Sequence, residues 1–114
     1  MKTKLTLILL FITSLYSNEV DVINATASCQ DNNCYITATL KHNDTNWKHY
    51  ANKFDIIVDN IIIATRILHH PHIHEQPFTR SISNVKIPIN TKTITIRAHD
   101  LIHKYGGKEF IIKL

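Results

Sequence analysis

From about residue 19 to residue 114, apolar and polar side chains alternate nearly one for one, with Ile, Thr and Val filling many of the positions. A period of two is the mark of strands with one buried face, and no window holds a helical period, so the chain reads as all-β. Seven strands are expected, at about 19–28, 34–42, 53–59, 61–68, 78–85, 93–99 and 108–114. Ile36, Ala38 and Leu40 share one face of the second, Phe78 and Ile82 one face of the fifth, and Ile94, Ile96 and Ala98 one face of the sixth, opposite Arg97 and His99. Phe110, Ile112 and Leu114 are expected inward in the seventh. Asp59 and Asn60 form a tight-turn pair between the third and fourth. Seven short antiparallel strands predict an immunoglobulin-like β-sandwich.

The sandwich is expected to occupy residues 18–114 as one domain. Residues 1–17, MKTKLTLILLFITSLYS, have the anatomy of a secretory signal: Lys2 and Lys4, an apolar run over 5–12 too short to span a bilayer, and a polar end at Ser17. Cleavage near Asn18 predicts a periplasmic or secreted protein without a membrane span. It leaves 11 of the 13 basic residues against 9 acidic ones, a net +2. Those basic residues are scattered and not interleaved with aromatics, which argues against nucleic acid as a partner. The two cysteines, Cys29 and Cys34, bracket the turn-like tetrapeptide QDNN and are expected to pair across a hairpin, as an oxidising compartment permits.

Strand parity then sorts the loops. Each strand crosses the sandwich, so loops alternate between its two poles: 30–33, 59–60 and 86–92 at one, 43–52, 69–77 and 100–107 at the other. All eight histidines fall in the second set or on the strand residue that feeds it. His42 and His49 flank its first loop, His69, His70, His72 and His74 sit in the second, and His99 and His103 border the third. Imidazole is the commonest side-chain ligand for first-row transition metals, and a site needs donors from several segments. The candidate ligands are therefore His42, His49, His70, His72, His99, His103 and Asp100. Asp44, Glu75 and Tyr50 are candidates to support them from behind. A solvated histidine run, a pH-sensitive cluster or a surface that docks a partner protein are the competing uses of the same residues.

Other chemistries find less support. Ser81 and Ser83 lie in a strand without a nucleophile elbow, and no Gly-rich phosphate loop exists. Gly106 and Gly107, the two glycines, are placed to let the last loop turn with positive φ. Trp47 and Tyr50 read as a lid or as loop packing, and Arg66, Arg80 and Arg97 as solvated strand residues.

Three stretches, HNDTNWKHYA (42–51), RILHHPHIHEQPFTRS (66–81) and RAHDLIHKYGG (97–107), together resemble a group of short, uncharacterised exported bacterial proteins. More distantly they resemble the superoxide reductase (desulfoferrodoxin, neelaredoxin) domain, an immunoglobulin-like sandwich whose iron is held by four histidines and a cysteine. His42 and His49-Tyr50 stand where that family's first-loop pair would, with one extra residue between them, and His103 where its last-loop histidine would. Asp100 replaces the cysteine. If the chain is an enzyme, the resemblance implies an oxidoreductase of that type, but a carboxylate in place of the thiolate makes a harder site and the reductase activity is not carried over. A second likeness, to the sandwich subunit of the sulfur-oxidation carrier complex, rests on HNDT and the glycine pair and implies a non-catalytic binding adaptor. The expectation is an exported β-sandwich that binds a transition metal, iron or copper ahead of zinc, for redox chemistry or metal handling.

Overall fold

The computed structural model describes residues 18–114, so the expected signal segment lies outside the described residues. Seven strands follow in the expected order: β1 (Asp21–Gln30), β2 (Asn33–Lys41), β3 (Ala51–Val58), β4 (Ile61–Ile67), β5 (Phe78–Lys86), β6 (Thr93–Asp100) and β7 (Phe110–Lys113). They form two antiparallel sheets, β1-β2-β5 and β4-β3-β6-β7. The fourth strand pairs with the third, so the sandwich is three strands against four, an immunoglobulin-like arrangement.

Period-two patterning sends one face of each strand inward. Val22, Ala25, Ile36, Ala38, Leu40, Phe78 and Val85 of the first sheet meet Phe54, Ile56, Val58, Ile94, Ile96 and Ala98 of the second, all buried. Leu114 departs from expectation. β7 ends at Lys113, and Leu114 lies beyond it, half exposed, with its amide donating to the Lys92 carbonyl.

Two hairpins close through turns whose central residues both have positive φ, Asp31-Asn32 and Asp59-Asn60, the geometry that matches strand twist and suits Asn and Asp. Beside the first turn, Cys29 and Cys34 face each other across β1 and β2 and are joined as a disulfide. Gly106 takes φ of 132°, as the turn requires. Gly107 is needed for a different reason: a Cβ there would lie 1.9 Å from the Val20 carbonyl oxygen, where the last loop packs against the start of the described chain.

One irregularity decides what the histidine pole contains. Along β3 and β6 the register runs Phe54 to Ala98 and Lys53 to His99, then skips Asn52 so that Ala51 pairs with Asp100. This bulge brings Ala51 onto the buried face beside Asp100, while Asn52 is left to accept a hydrogen bond from His99 Nδ1 at 2.6 Å.

Candidate metal centre

Three side chains converge at the pole. His42 follows β2, His49 sits in the loop 42–50, and Asp100 ends β6 on its inward face. One ligand atom from each lies within 4.8 Å of the other two, and the group can hold a metal ion. The His42 and Asp100 side chains are fully buried, with His42 Nε2 3.5 Å from Asp100 Oδ2; His49 Nε2 is 3.5 Å from Asp100 Oδ1.

Hydrogen bonding fixes which atoms remain available. Asp44 Oδ1 takes the His42 ring at Nδ1 (2.5 Å) and the Ala51 amide (3.0 Å), and its Oδ2 takes the His72 amide (2.7 Å). Burial alone would push the Asp44 carboxyl up, but these hydrogen bonds outweigh it and hold the group below the ordinary carboxylate value. An ionised Asp44 only accepts, so the His42 proton sits on Nδ1 and the lone pair on Nε2. Asp100 Oδ1 is used in the same way, accepting the amides of Ile102 (2.8 Å) and His103 (2.6 Å). What remains are His42 Nε2, His49 Nε2 and Asp100 Oδ2, all buried and without a hydrogen-bond partner among the described residues. A ring lone pair facing a carboxylate oxygen across 3.5 Å is unfavourable without a cation or a proton between them.

His103 lies at the rim. Its Nδ1 is 3.4 Å from Asp100 Oδ1, its ring is 5.0 Å from that of His49, and its side chain is 36% exposed. The group is thus closed on the protein side by His42 and Asp100 and open toward His103.

The other candidate ligands lie elsewhere. His72 is buried, but its ring stacks on Phe78 with centroids 3.9 Å apart, and its Nε2 accepts from Arg80 at 2.9 Å. Burial and then the Arg80 guanidinium pull its pKa down, so the ring is neutral with its proton on Nδ1, 4.0 Å from Asp44 Oδ2. His70 is exposed and its Nδ1 donates to the Pro71 carbonyl. His99 points to the opposite face of β6 from Asp100, where burial, then Lys53 and Lys104, lower its pKa. Of the three supporting candidates, Asp44 touches the group directly. Glu75 is an exposed partner of Arg80 (3.4 Å), and Tyr50 packs against Trp47 and accepts the Leu101 amide through its carbonyl.

Sequence reasoning missed two supports. Gln76 accepts the His42 amide through Oε1 and donates Nε2 to the His72 carbonyl, stitching two histidine loops together. Buried Asp55 on β3 accepts from Thr65 Oγ1, Arg97 and Tyr105 Oη, and Tyr105 belongs to the loop that carries His103. A lone carboxylate between Phe54 and Ile56 in an apolar strand was the one available signal for Asp55; nothing local marked Gln76.

Fold and site together define a β-sandwich protein with a candidate metal group at one pole. No family model matches the chain, and no solved structure matches it. A curated protein of Halomicrobium mukohataei, provisionally named a lipoprotein, is 31% identical over 77 residues, covering 67% of this chain. The chain spans 37% of the length of that relative.

Proposed function

We propose that the protein is an exported transition-metal-binding sandwich whose ion is held by His42, His49 and Asp100, with His103 at the open side. The observation that carries this is the set of three buried, unpartnered ligand atoms aimed at one another, with Asp44 orienting the His42 lone pair into the group. Ligand atoms about 2.1 Å from a tetrahedral ion lie roughly 3.4 Å apart, close to the 3.5 Å between His42 Nε2 and Asp100 Oδ2. Two imidazoles and a carboxylate with an open side suit iron first among first-row ions, with copper and zinc as competitors. When bound, such an ion supplies an exchangeable position for redox chemistry or metal transfer, and the protein's part is to hold it, orient His42 through Asp44 and close its inner side with apolar packing.

Export is part of this reading, supported by the signal-like segment and by a relative named as a lipoprotein. The likeness to superoxide reductases rests on the sequence positions of His42, His49 and His103 alone, departs at Asp100, and is carried by no family model or solved structure. The test is elemental analysis of untagged protein purified from its native compartment, beside His42→Ala and Asp100→Asn. Near-stoichiometric iron or copper that both substitutions remove supports the site. Metal retained in both would refute this ligand set, and metal-free native protein that takes up none on titration would move the partner-docking reading into first place.

A further inference from the structure

Above the metal group the pole carries a feature that coordination does not use. The loops 42–50 and 101–109 run side by side, joined by the Leu101 amide to the Tyr50 carbonyl at 3.4 Å. Each presents one large bare apolar side chain: Trp47, 63% exposed with its ring edge-on to Tyr50, and Ile102, 55% exposed. Lys48 follows the first by one residue and Lys104 the second by two, both exposed. A third loop of the same pole adds Ile73, 49% exposed.

Charge is arranged differently at the two poles. Beside Trp47 and Ile102 the carboxylates Asp44 and Asp100 are buried in the metal group; Glu75 pairs with Arg80, Glu19 is likewise engaged, Asp21 accepts the Lys108 amide, and exposed Glu109 lies at the far end of the last loop, next to β7. The opposite pole also bares an isoleucine, Ile89, among mixed exposed charges, Asp31, Asp59, Lys86 and Lys92. The described chain also begins at the histidine pole, where Gly106 and Gly107 pack on Glu19 and Val20.

We propose that the histidine pole seats on an anionic phospholipid surface, with Trp47 and Ile102 entering the headgroup boundary and Lys48 and Lys104 at phosphate level. Tryptophan with lysine beside it is the pairing that such a boundary favours, because the ring spans apolar and wet regions while the ammonium reaches the lipid phosphates. Seating is peripheral: among the described residues no helix is long and apolar enough to cross a membrane. The claim does not rest on the metal, and it holds or falls separately from it.

Trp47 is the sole tryptophan of the chain, so its emission reads the contact directly. The purified protein is mixed with vesicles of phosphatidylglycerol and phosphatidylcholine, or of phosphatidylcholine alone, with and without brominated acyl chains. Support is a blue shift and bromine quenching with the anionic vesicles, reversed by salt, and roughly thirtyfold weaker binding after Lys48→Gln with Lys104→Gln. Three results overturn the proposal: co-sedimentation with unchanged Trp47 emission, which places the contact on another face; equal binding to both lipid mixtures; or no response to vesicles at all, which leaves the pole as an interface for a protein.

Discussion

Asp44 touches three separate segments at once: the His42 ring, the Ala51 amide and the His72 amide. Asp44→Asn keeps its shape but exchanges a charge-assisted bond to His42 for a neutral one, and metal affinity is expected to fall about 10–100-fold. Competition titration against a chelator measures this, and His99→Gln, on the other face of the sheet, should leave the affinity unchanged. A pH dependence also follows. His72 and His99 are both held below the imidazole value of 6.5, first by burial. The folded chain therefore binds these protons less readily than the unfolded chain, so their contribution to stability is complete above pH 6.5 and is lost as pH falls through their lower folded values. Asp44, also depressed, contributes above 3.8 and loses its share as pH falls through its own folded value. Thermal unfolding of metal-free protein against pH should show the upper decline first, shallower in His99→Gln. At this scale the sequence showed which residues share a pole but not which way each ring faces. His72 counted as a candidate ligand because the residue that occupies its Nε2, Arg80, lies eight positions away in a strand that read as solvated.

Strands were legible because period two leaves a pattern in every short window, and each boundary fell within two residues or so of expectation. Irregularities leave none. His99 and Asp100 are adjacent on one strand, so they face opposite sides and cannot serve one ion, a consequence of the same alternation that located β6. The skipped Asn52 that sets Ala51 beside Asp100 carries no mark in the sequence, since Asn is ordinary at a strand end. Gly107 was readable as a turn residue, whereas its contact with Val20, more than eighty residues away, was not. Gly107→Ala places a methyl against that carbonyl and is expected to cost about 3 kcal/mol, read by denaturant unfolding. The hairpin disulfide is a contrasting case. Its loop spans a sequence separation of five residues, so its reduction is expected to cost only about 2 kcal/mol. The disulfide lies at the pole opposite the histidines, so reduced protein should bind metal with unchanged stoichiometry.

For the whole molecule, the metal group and the marginal size of the sandwich are linked. A domain of this length has a net stability of only about 5–10 kcal/mol, and its histidine pole buries two carboxylates and two imidazoles, His42 and His72, in place of apolar packing. Asp44 is satisfied from within the protein through His42, Ala51 and the His72 amide, and His72 Nε2 is taken by Arg80, but His42 Nε2, His49 Nε2 and Asp100 Oδ2, which face one another, are not. An ion that fills the gap binds the folded chain alone, because His42 and His49 of one loop meet Asp100 at the end of β6 only through the sandwich. Binding then adds to stability by mass action, about 2.7 kcal/mol at a free metal concentration one hundred times the Kd. For a domain of about a hundred residues this corresponds to a rise in Tm of roughly 10–20 °C. The expected outcome is a Tm that climbs with metal concentration, returns to the metal-free value on adding chelator, and does neither in His42→Ala. A Tm indifferent to metal in the native chain would mean that the three orphaned atoms are relieved by protons or water, and that the histidine pole is a binding surface with no ion beneath it.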